Sequence, residues 1–245
     1  MEKVLYSLAA AGSSPEDLGR RLLREVGPAL VAAGASAVQL NVVDELVAAA
    51  APRRIATSAR PADAVVSVWL ASSGSAGRRA VDEVLAGTDA SVEAHLVTES
   101  VPLHDPPAPA GDGGRTPGFS QIAFLRRPGS VARDEWLSRW LDEHTQVAIA
   151  TQSTFIYVQH VVTRALTPGA TPWDGIVEEC FPEAAMADDE VFFGAVGDHR
   201  LMRSNQRAMF DSCARFLDFA QIDVLPTSRY VLSRLPTAET TGRPT

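Results

Sequence analysis

Cysteine is scarce in this chain, and the two copies suggest neither a cross-link nor a metal cluster. Cys180 and Cys213 fall in segments that read as a strand and a helix, so no disulfide framework or zinc site follows. No Cys-x-x-Cys-His haem attachment motif occurs. Nor do any two histidines have the three- or four-residue spacing of a helical metal pair; they are His95, His104, His144, His160 and His199. We predict no metal and no cofactor.

Long apolar runs are also missing. No stretch approaches the roughly 20 apolar residues that a membrane helix requires. The first residues, Met1 to Ser7, carry one acid and one base and lack the pattern of a secretory leader. We therefore expect a cytoplasmic protein with no membrane partner.

Positive charge is low and dispersed. Lysine is almost absent, arginine is scattered among acidic residues, and the net charge is −8. A polyanion would meet repulsion over most of such a surface, so nucleic acid is a poor partner. A small-molecule ligand is the partner that we expect.

Proline and glycine are concentrated between residues 101 and 117, which we predict to be a linker. Periodicity predicts the order β-α-β-β-α-β on its N-terminal side, in a unit covering residues 1–100. Ser14 and Pro15 mark the start of the first helix. The predicted strands are 3–9, 36–43, 64–71 and 91–98, and the predicted helices are 14–33 and 77–85.

The same order recurs in a second unit, residues 118–235, before a tail at 236–245 that we predict to be disordered. Its predicted strands are 119–126, 155–162, 175–181 and 222–232, and its predicted helices are 132–150 and 200–220. The fold class is therefore α+β, with two ferredoxin-like repeats. Each repeat leaves one sheet face bare, so we predict that the two close one barrel whose interior holds a ligand.

The helix at 132–150 carries a candidate catalytic residue. Trp136, Trp140 and His144 form one stripe at helical spacing, while the charged residues lie mostly elsewhere. His144 is thus either a hydrogen-bonded core histidine or a general acid or base. A solvent-exposed His144 ring would contradict both interpretations.

The strand at 155–162 has two faces. Alternation places Tyr157 and Gln159 on one face and His160 on the other, among apolar residues. We predict that the apolar face packs on helices, which would direct Tyr157 and Gln159 into the barrel to orient a carbonyl or phenol. His160 is a second candidate proton carrier.

Glu178 and Glu179 are adjacent in the next predicted strand and so point to opposite faces. One of them can be a buried acid with a raised pKa, which would make it a proton carrier. The alternative is an exposed edge carboxylate that discourages aggregation. We take Glu178 as the catalytic candidate.

These segments together resemble the EthD family of dimeric α+β barrel proteins. Residues 134–144 are similar to its E-E-F-x-x-x-W-x-x-x-H helix, and residues 157–160 to its Y-x-Q-N/H strand. Residues 173–178 are similar to its Y-D-G-x-x-E motif, and residues 211–218 to its D-x-x-x-F-x-D helix. The resemblance covers only the second unit, so we expect an asymmetric pocket there.

The resemblance implies a lyase or isomerase of the dehydratase or cyclase kind that acts on an aromatic or polyketide-like molecule. Its catalytic residues would be His144, Tyr157, His160 and Glu178, and its ligand-binding residues Trp140, Gln159, Trp173 and Asp174. The alternative is a non-catalytic binding or accessory protein, a class that the resemblance equally allows. Because the family is dimeric, a homodimer is also open.

Overall fold

The computed structural model describes residues 1–107 and 112–235. Part of the predicted linker and the predicted tail at 236–245 lie outside these ranges. Eight strands form the sheet: β1 (Glu2–Ala10), β2 (Ala37–Val42), β3 (Ala64–Leu70), β4 (Ala90–His104), β5 (Phe119–Leu125), β6 (Ile156–Ala165), β7 (Gly175–Phe181) and β8 (Asp223–Ser233). Every predicted strand is therefore present, with bounds that shift by a few residues.

The helical segments surround the sheet. The main ones are α1 (15–32), α2 (Ser75–Ala86), α3 (133–151), the short α4 (Asp189–Phe192) and α5 (His199–Cys213). Ser14 caps α1 through its side chain, and Pro15 follows it, as predicted. 3-10 turns occur at Glu45–Arg53, Glu183–Met186 and Phe219–Gln221. α5 ends at Cys213, earlier than the predicted helix, because the chain turns there toward Phe219–Gln221.

The strands close one antiparallel barrel in the order β1-β3-β2-β8-β5-β7-β6-β4. Each half contributes four adjacent strands, β4-β1-β3-β2 and β8-β5-β7-β6, which is the strand order of a ferredoxin-like unit. The pairs β2–β8 and β4–β6 join the halves. The predicted α+β barrel within one chain is thus confirmed.

β4 runs to His104, four residues beyond the predicted end of the first unit. Its last residues pair with β6, with Leu103 opposite Tyr157 and His104 opposite Ile156. The extra length therefore serves closure of the barrel. Within the described residues no helix combines the length and hydrophobicity needed to cross a bilayer.

Three apolar layers hold the molecule together. In the N-terminal half, the outer face of the sheet packs on α1 and α2 through aliphatic residues such as Leu8, Leu22 and Leu85. In the C-terminal half, the outer face packs on α3 through Trp136 and Trp140. A third cluster fills the barrel interior; its members are Leu5, Ala62, Val65, Val97, Ile122, Phe124, Val162, Trp173, Ile176 and Leu225.

Candidate functional site

A cavity of about 130 Å³ lies between the outer face of the C-terminal half-sheet and the helices α3 and α5. Aromatic and apolar side chains make most of its wall, with a small number of polar groups among them. Its lining residues are Gln121, Ala123, Leu125, Trp140, His144, Gln152, Tyr157, Val177, Glu179, Met209, Cys213, Phe216, Leu217, Phe219, Ile222 and Val224. We call this space the Glu179 cavity.

Strand register brings three polar side chains of the Glu179 cavity into one row. Tyr157 of β6 is directly opposite Glu179 of β7, and Gln121 of β5 is opposite Glu179 from the other side. Directly opposed residues on one sheet face have Cβ atoms about 5 Å apart. The row therefore presents a phenol, a carboxyl and an amide to one space.

Glu179 is neutral at physiological pH. Burial raises the pKa of its carboxyl to about 8, against the smaller, opposing effect of a hydrogen bond from Gln121. Its Oε1 atom is buried and has no hydrogen-bond partner among the described residues. A neutral carboxyl with a free oxygen can both donate and accept a hydrogen bond, and it can carry a proton.

His144 lies on a π-helical turn of α3, Ser138–His144, which shifts its side chain and that of Trp140 relative to a regular helix. Its Nδ1 is 3.0 Å from Ser212 Oγ on α5. Its ring packs on Phe216 with centroids 4.7 Å apart. Burial lowers the pKa of His144 to about 4, so the imidazole is neutral. The buried ring agrees with the predicted stripe.

Tyr157 and Trp140 also contribute polar groups to the wall of the cavity. Burial and then the nearby Glu179 raise the pKa of Tyr157 well above 10, so its phenol keeps its proton. The Trp140 indole packs on Trp136 with ring centroids 4.9 Å apart. Its Nε1 atom is buried without a partner in the described part of the chain.

Several residues of the cavity wall have buried polar atoms without hydrogen-bond partners among the described residues. Trp140 Nε1, Gln152 Oε1 and Glu179 Oε1 are all buried without partners in the described ranges, and all three residues line the wall. Native proteins leave few such groups unsatisfied, because each one costs desolvation energy. Two acceptors and one donor are thus available to a molecule that enters the cavity.

The prediction that Tyr157 and Gln159 face the barrel interior is wrong. Tyr157 belongs to the cluster that packs on α3. Gln159 Nε2 donates to Thr145 Oγ1 on the same helical segment at 2.6 Å, and Ser100 Oγ donates to Gln159 Oε1 at 2.9 Å. The apolar face of β6 instead meets the barrel interior, where Val162 packs in the interior apolar cluster and His160 contacts Lys3.

Glu178 lies inside the barrel and not in the Glu179 cavity. It accepts hydrogen bonds from Gln39 at 3.0 Å, Asn41 at 2.9 Å and Ser120 at 3.1 Å, and Arg229 Nε lies 3.1 Å away. Burial alone would raise its pKa, but Arg229, Lys3 and the amide donors hold it below the usual range. The possibility that one of the two glutamates is a buried acid with a raised pKa therefore does not apply to Glu178, and its catalytic role stays a prediction.

His160 also points into the barrel, away from the Glu179 cavity. Its Nε2 lies 2.7 Å from Lys3 Nζ and 3.3 Å from Glu99, and its Nδ1 lies 3.2 Å from Ile176 O. Lys3 and Glu99 form an ion pair beside it. Burial, and then Lys3, lower the pKa of His160. His160 is therefore part of an interior network.

Trp173 and Asp174 lie outside the Glu179 cavity as well. Trp173 closes one end of the barrel interior and packs on Phe124 with ring centroids 5.4 Å apart. Asp174 Oδ2 accepts a hydrogen bond from the Arg127 backbone N–H at 2.9 Å. Of the predicted residues, the cavity brings together His144, Tyr157 and Trp140.

Gln121 and Gln152 are polar cavity residues that the sequence did not single out, and Glu179 was named only as an alternative to Glu178. The available signal was the pairing of β6 with β7, since Tyr157 and Glu179 share a face once the register is known. The described residues contain no group of three or more His, Cys, Asp or Glu side chains arranged to hold a metal ion.

Comparisons with known proteins support the architecture. An anthrone oxidase-like protein of known structure matches with a TM-score of 0.55 at 11% identity, covering 97% of this chain and 96% of that chain. The shared feature is the fold, a dimeric α+β barrel. A protein inferred to be a monooxygenase, from Lactobacillus acidophilus, has a TM-score of 0.44 at 9% identity, covering 95% of this chain and 96% of its own.

No family model matches the chain, and no curated protein does. Membership of the EthD family therefore stays a prediction. At such low identity the structural match concerns the barrel, not the chemistry carried out in it.

Proposed function

We propose that the chain binds a small aromatic, polyketide-like molecule in the Glu179 cavity and transfers protons on it. The reaction class is that of a cofactor-free lyase or isomerase of the dehydratase or cyclase kind. The observation that carries the proposal is the neutral Glu179 carboxyl, whose Oε1 atom has no partner among the described residues, in a wall shared with Tyr157 and His144.

The size and lining of the cavity favour a flat molecule. Its volume of about 130 Å³ is close to the ~150 Å³ of a dry cavity that accepts benzene. Trp140, Tyr157, His144 and Phe216 present aromatic surface, on which an aromatic ring packs favourably. The name of the anthrone oxidase-like neighbour agrees with an aromatic substrate class.

The polar groups suit enolisation of a ketone. Glu179 gives its proton to the carbonyl oxygen, and the neutral His144 imidazole takes the proton from the adjacent carbon, which leaves an enol. If the enol is conjugated with a further C=C bond, His144 delivers its proton to the far end of the conjugated system while Glu179 takes back the hydroxyl proton, and the double bond has moved, which completes an isomerisation. In a dehydration, Glu179 instead protonates a leaving hydroxyl, so C–H and C–O bonds break, a C=C bond forms and water departs. Tyr157 and Trp140 orient the substrate oxygen.

Hydrogen–deuterium exchange on acetophenone, a one-ring ketone, tests this proposal without knowledge of the natural substrate. In D₂O the wild type should accelerate exchange at the carbon beside the carbonyl, followed by NMR. Glu179→Gln should lose roughly 100-fold or more of that acceleration. Glu183→Gln, at an exposed position nearby in sequence, should retain it. Exchange no faster than in buffer, or full activity of Glu179→Gln, would contradict proton transfer.

The low pKa of His144 favours one further candidate, a binding or accessory protein without turnover, because an imidazole that protonates only near pH 4 is a weak base. Calorimetry with acetophenone separates the two. Tight binding without accelerated exchange would support the accessory role, and binding with exchange supports catalysis.

A further inference from the structure

A second cavity, of about 280 Å³, lies at one end of the barrel. Its walls are the loop 57–60, the loop 169–173 and the turn Phe219–Gln221. Arg126 follows the last residue of β5 and lines this cavity. By strand alternation its side chain lies on the same face as those of Ile122 and Phe124, which point into the barrel. This space is separate from the Glu179 cavity, and we call it the Arg126 cavity.

Arg126 carries the uncompensated charge of this cavity. Its Nε atom is buried without a hydrogen-bond partner, and its guanidinium forms no ion pair with any described residue. The other arginine in the wall, Arg60, pairs with Glu93 at 2.7 Å. A buried guanidinium nitrogen without an acceptor is costly, so an anionic ligand would be favoured here.

The nearby carboxylate of Asp223 is already satisfied by neutral donors. It accepts the backbone N–H groups of Thr57 at 2.7 Å and Ser58 at 3.0 Å, and the Ser58 hydroxyl also donates to it. Asp223 thereby holds the loop 57–58 in place. It makes no ion pair with Arg126 among the described contacts, so the guanidinium remains available.

The facing loop is fixed in a similar way. Arg60 Nη2 donates to Gly169 O at 3.0 Å, and Glu93 Oε2 accepts the Thr171 N–H at 2.9 Å. Trp173, which is buried against Phe124, provides an aromatic surface in the same wall. The cavity therefore has two loops held by hydrogen bonds, an indole, and a guanidinium that pairs with no carboxylate in the described ranges. Preorganised walls reduce the entropy that a ligand must lose on binding.

We propose that the Arg126 cavity binds the carboxylate of a small flat acid. The guanidinium fork matches a carboxylate in a bidentate pair, and the indole of Trp173 packs on the ring of the acid. The volume exceeds the ~150 Å³ that accepts benzene, which suits a two-ring acid. This inference does not depend on the function proposed for the Glu179 cavity.

Calorimetric titration of the full chain with 1-naphthoate at pH 7 tests the site. We expect one molecule bound per chain, and an affinity for the neutral isostere 1-naphthamide at least about tenfold weaker. Arg126→Gln should lose about tenfold or more in naphthoate affinity. Arg79→Gln, which removes an exposed arginine on α2, should bind as the wild type does. Thermal melts confirm that both variants fold.

Absence of binding at millimolar naphthoate would overturn the proposal. Equal affinity of wild type and Arg126→Gln, or of the acid and its amide, would do the same. Glu179→Gln should keep the wild-type naphthoate affinity; a matching loss in that variant would place the acid in the Glu179 cavity and so also overturn this site. The exchange assay with acetophenone stays independent of all these outcomes.

Discussion

At the scale of single residues, Glu178 and Glu179 show how strand parity gives two neighbouring carboxyls different chemistry. Glu178 faces the barrel interior, where Arg229 and several amides hold it ionised. Glu179 faces α3 and α5, where burial keeps it protonated. The sequence left open whether one of the pair is a buried acid or an exposed edge carboxylate. It could not show which of the two would be the acid, because β7 is buried on both faces.

Glutamine replacements of the two residues should differ in stability. Glu178→Gln removes the charge opposite Arg229 and leaves that guanidinium buried without a counter-ion, so we expect a loss of about 3 kcal/mol or more. Glu179→Gln replaces a carboxyl that is already neutral and should stay within about 1 kcal/mol of the wild type at pH 7. Urea denaturation measures both. The reverse ranking would show that the parity of β7 is misassigned.

His144 should make the protein sensitive to acid. The pKa of His144 is about 4 in the folded chain, against about 6.5 for an unfolded histidine. As the pH falls from about 6.5 to about 4, the His144 imidazole becomes protonated in the unfolded chain while it stays neutral in the folded chain. Acid therefore lowers the free energy of unfolding of the wild type relative to that of His144→Gln. The difference in the free energy of unfolding between the two proteins changes by up to ~1.4 kcal/mol per pH unit in this range, and this pH dependence vanishes above pH 6.5. Unfolding curves at several pH values check this; a pH-independent difference would mean that His144 is not buried as described.

At the scale of elements, β6 illustrates what alternation cannot decide. The alternation correctly placed Tyr157 and Gln159 on one face of the strand and His160 on the other. The directions of the two faces were inverted, because the Tyr157 face packs on the helices and the His160 face points into the barrel. An apolar set usually marks the helix-facing side of a ferredoxin-like sheet. In a closed barrel the inner face also carries apolar side chains, beside the polar networks around Glu178 and His160, so the hydrophobicity of one strand does not decide which of its faces points inward.

The approach of α3 to β7 depends on a glycine. A Cβ atom at Gly175 would lie 2.5 Å from the Trp140 ring and 3.0 Å from Trp136, both rigid and buried. Gly175→Ala should therefore destabilise the fold by roughly 1–3 kcal/mol through overpacking. Gly129→Ala is the matched control, since nothing lies within 4 Å of its added Cβ. Thermal unfolding compares them, and equal stability of the two variants would contradict the packing of Trp140 on this strand.

At the scale of the whole molecule, the order of elements was sufficient to predict the barrel. Two β-α-β-β-α-β sets, each with a bare sheet face, have few ways to bury it within one chain. The position of the cavity was not predictable in this way. The position of the cavity depends on side-chain volumes in the two layers between sheet and helices. In the N-terminal half aliphatic residues fill this layer, whereas in the C-terminal half the side chains leave the Glu179 cavity open.

Closure of the barrel predicts that neither half is stable alone. The interior cluster takes Leu5, Val65 and Val97 from the first half and Ile122, Phe124 and Ile176 from the second, so separation exposes both sets. Residues 1–107 expressed alone should aggregate or lack a cooperative transition. Calorimetry and light scattering measure this. A monomeric half with its own cooperative unfolding would show that the halves are independent domains.

The account of function depends on a neutral Glu179 carboxyl, and carbon-13 NMR of glutamate-labelled protein tests that claim most directly. Side-chain carboxyl shifts would be followed from pH 4 to pH 10, with the Glu179 signal assigned by its loss in Glu179→Gln. We predict one carboxyl with a midpoint near pH 8, the pKa to which burial raises Glu179. If every carboxyl titrated below about pH 6, or if the high-midpoint signal persisted in Glu179→Gln, the Glu179 cavity would not hold the proton carrier that we propose.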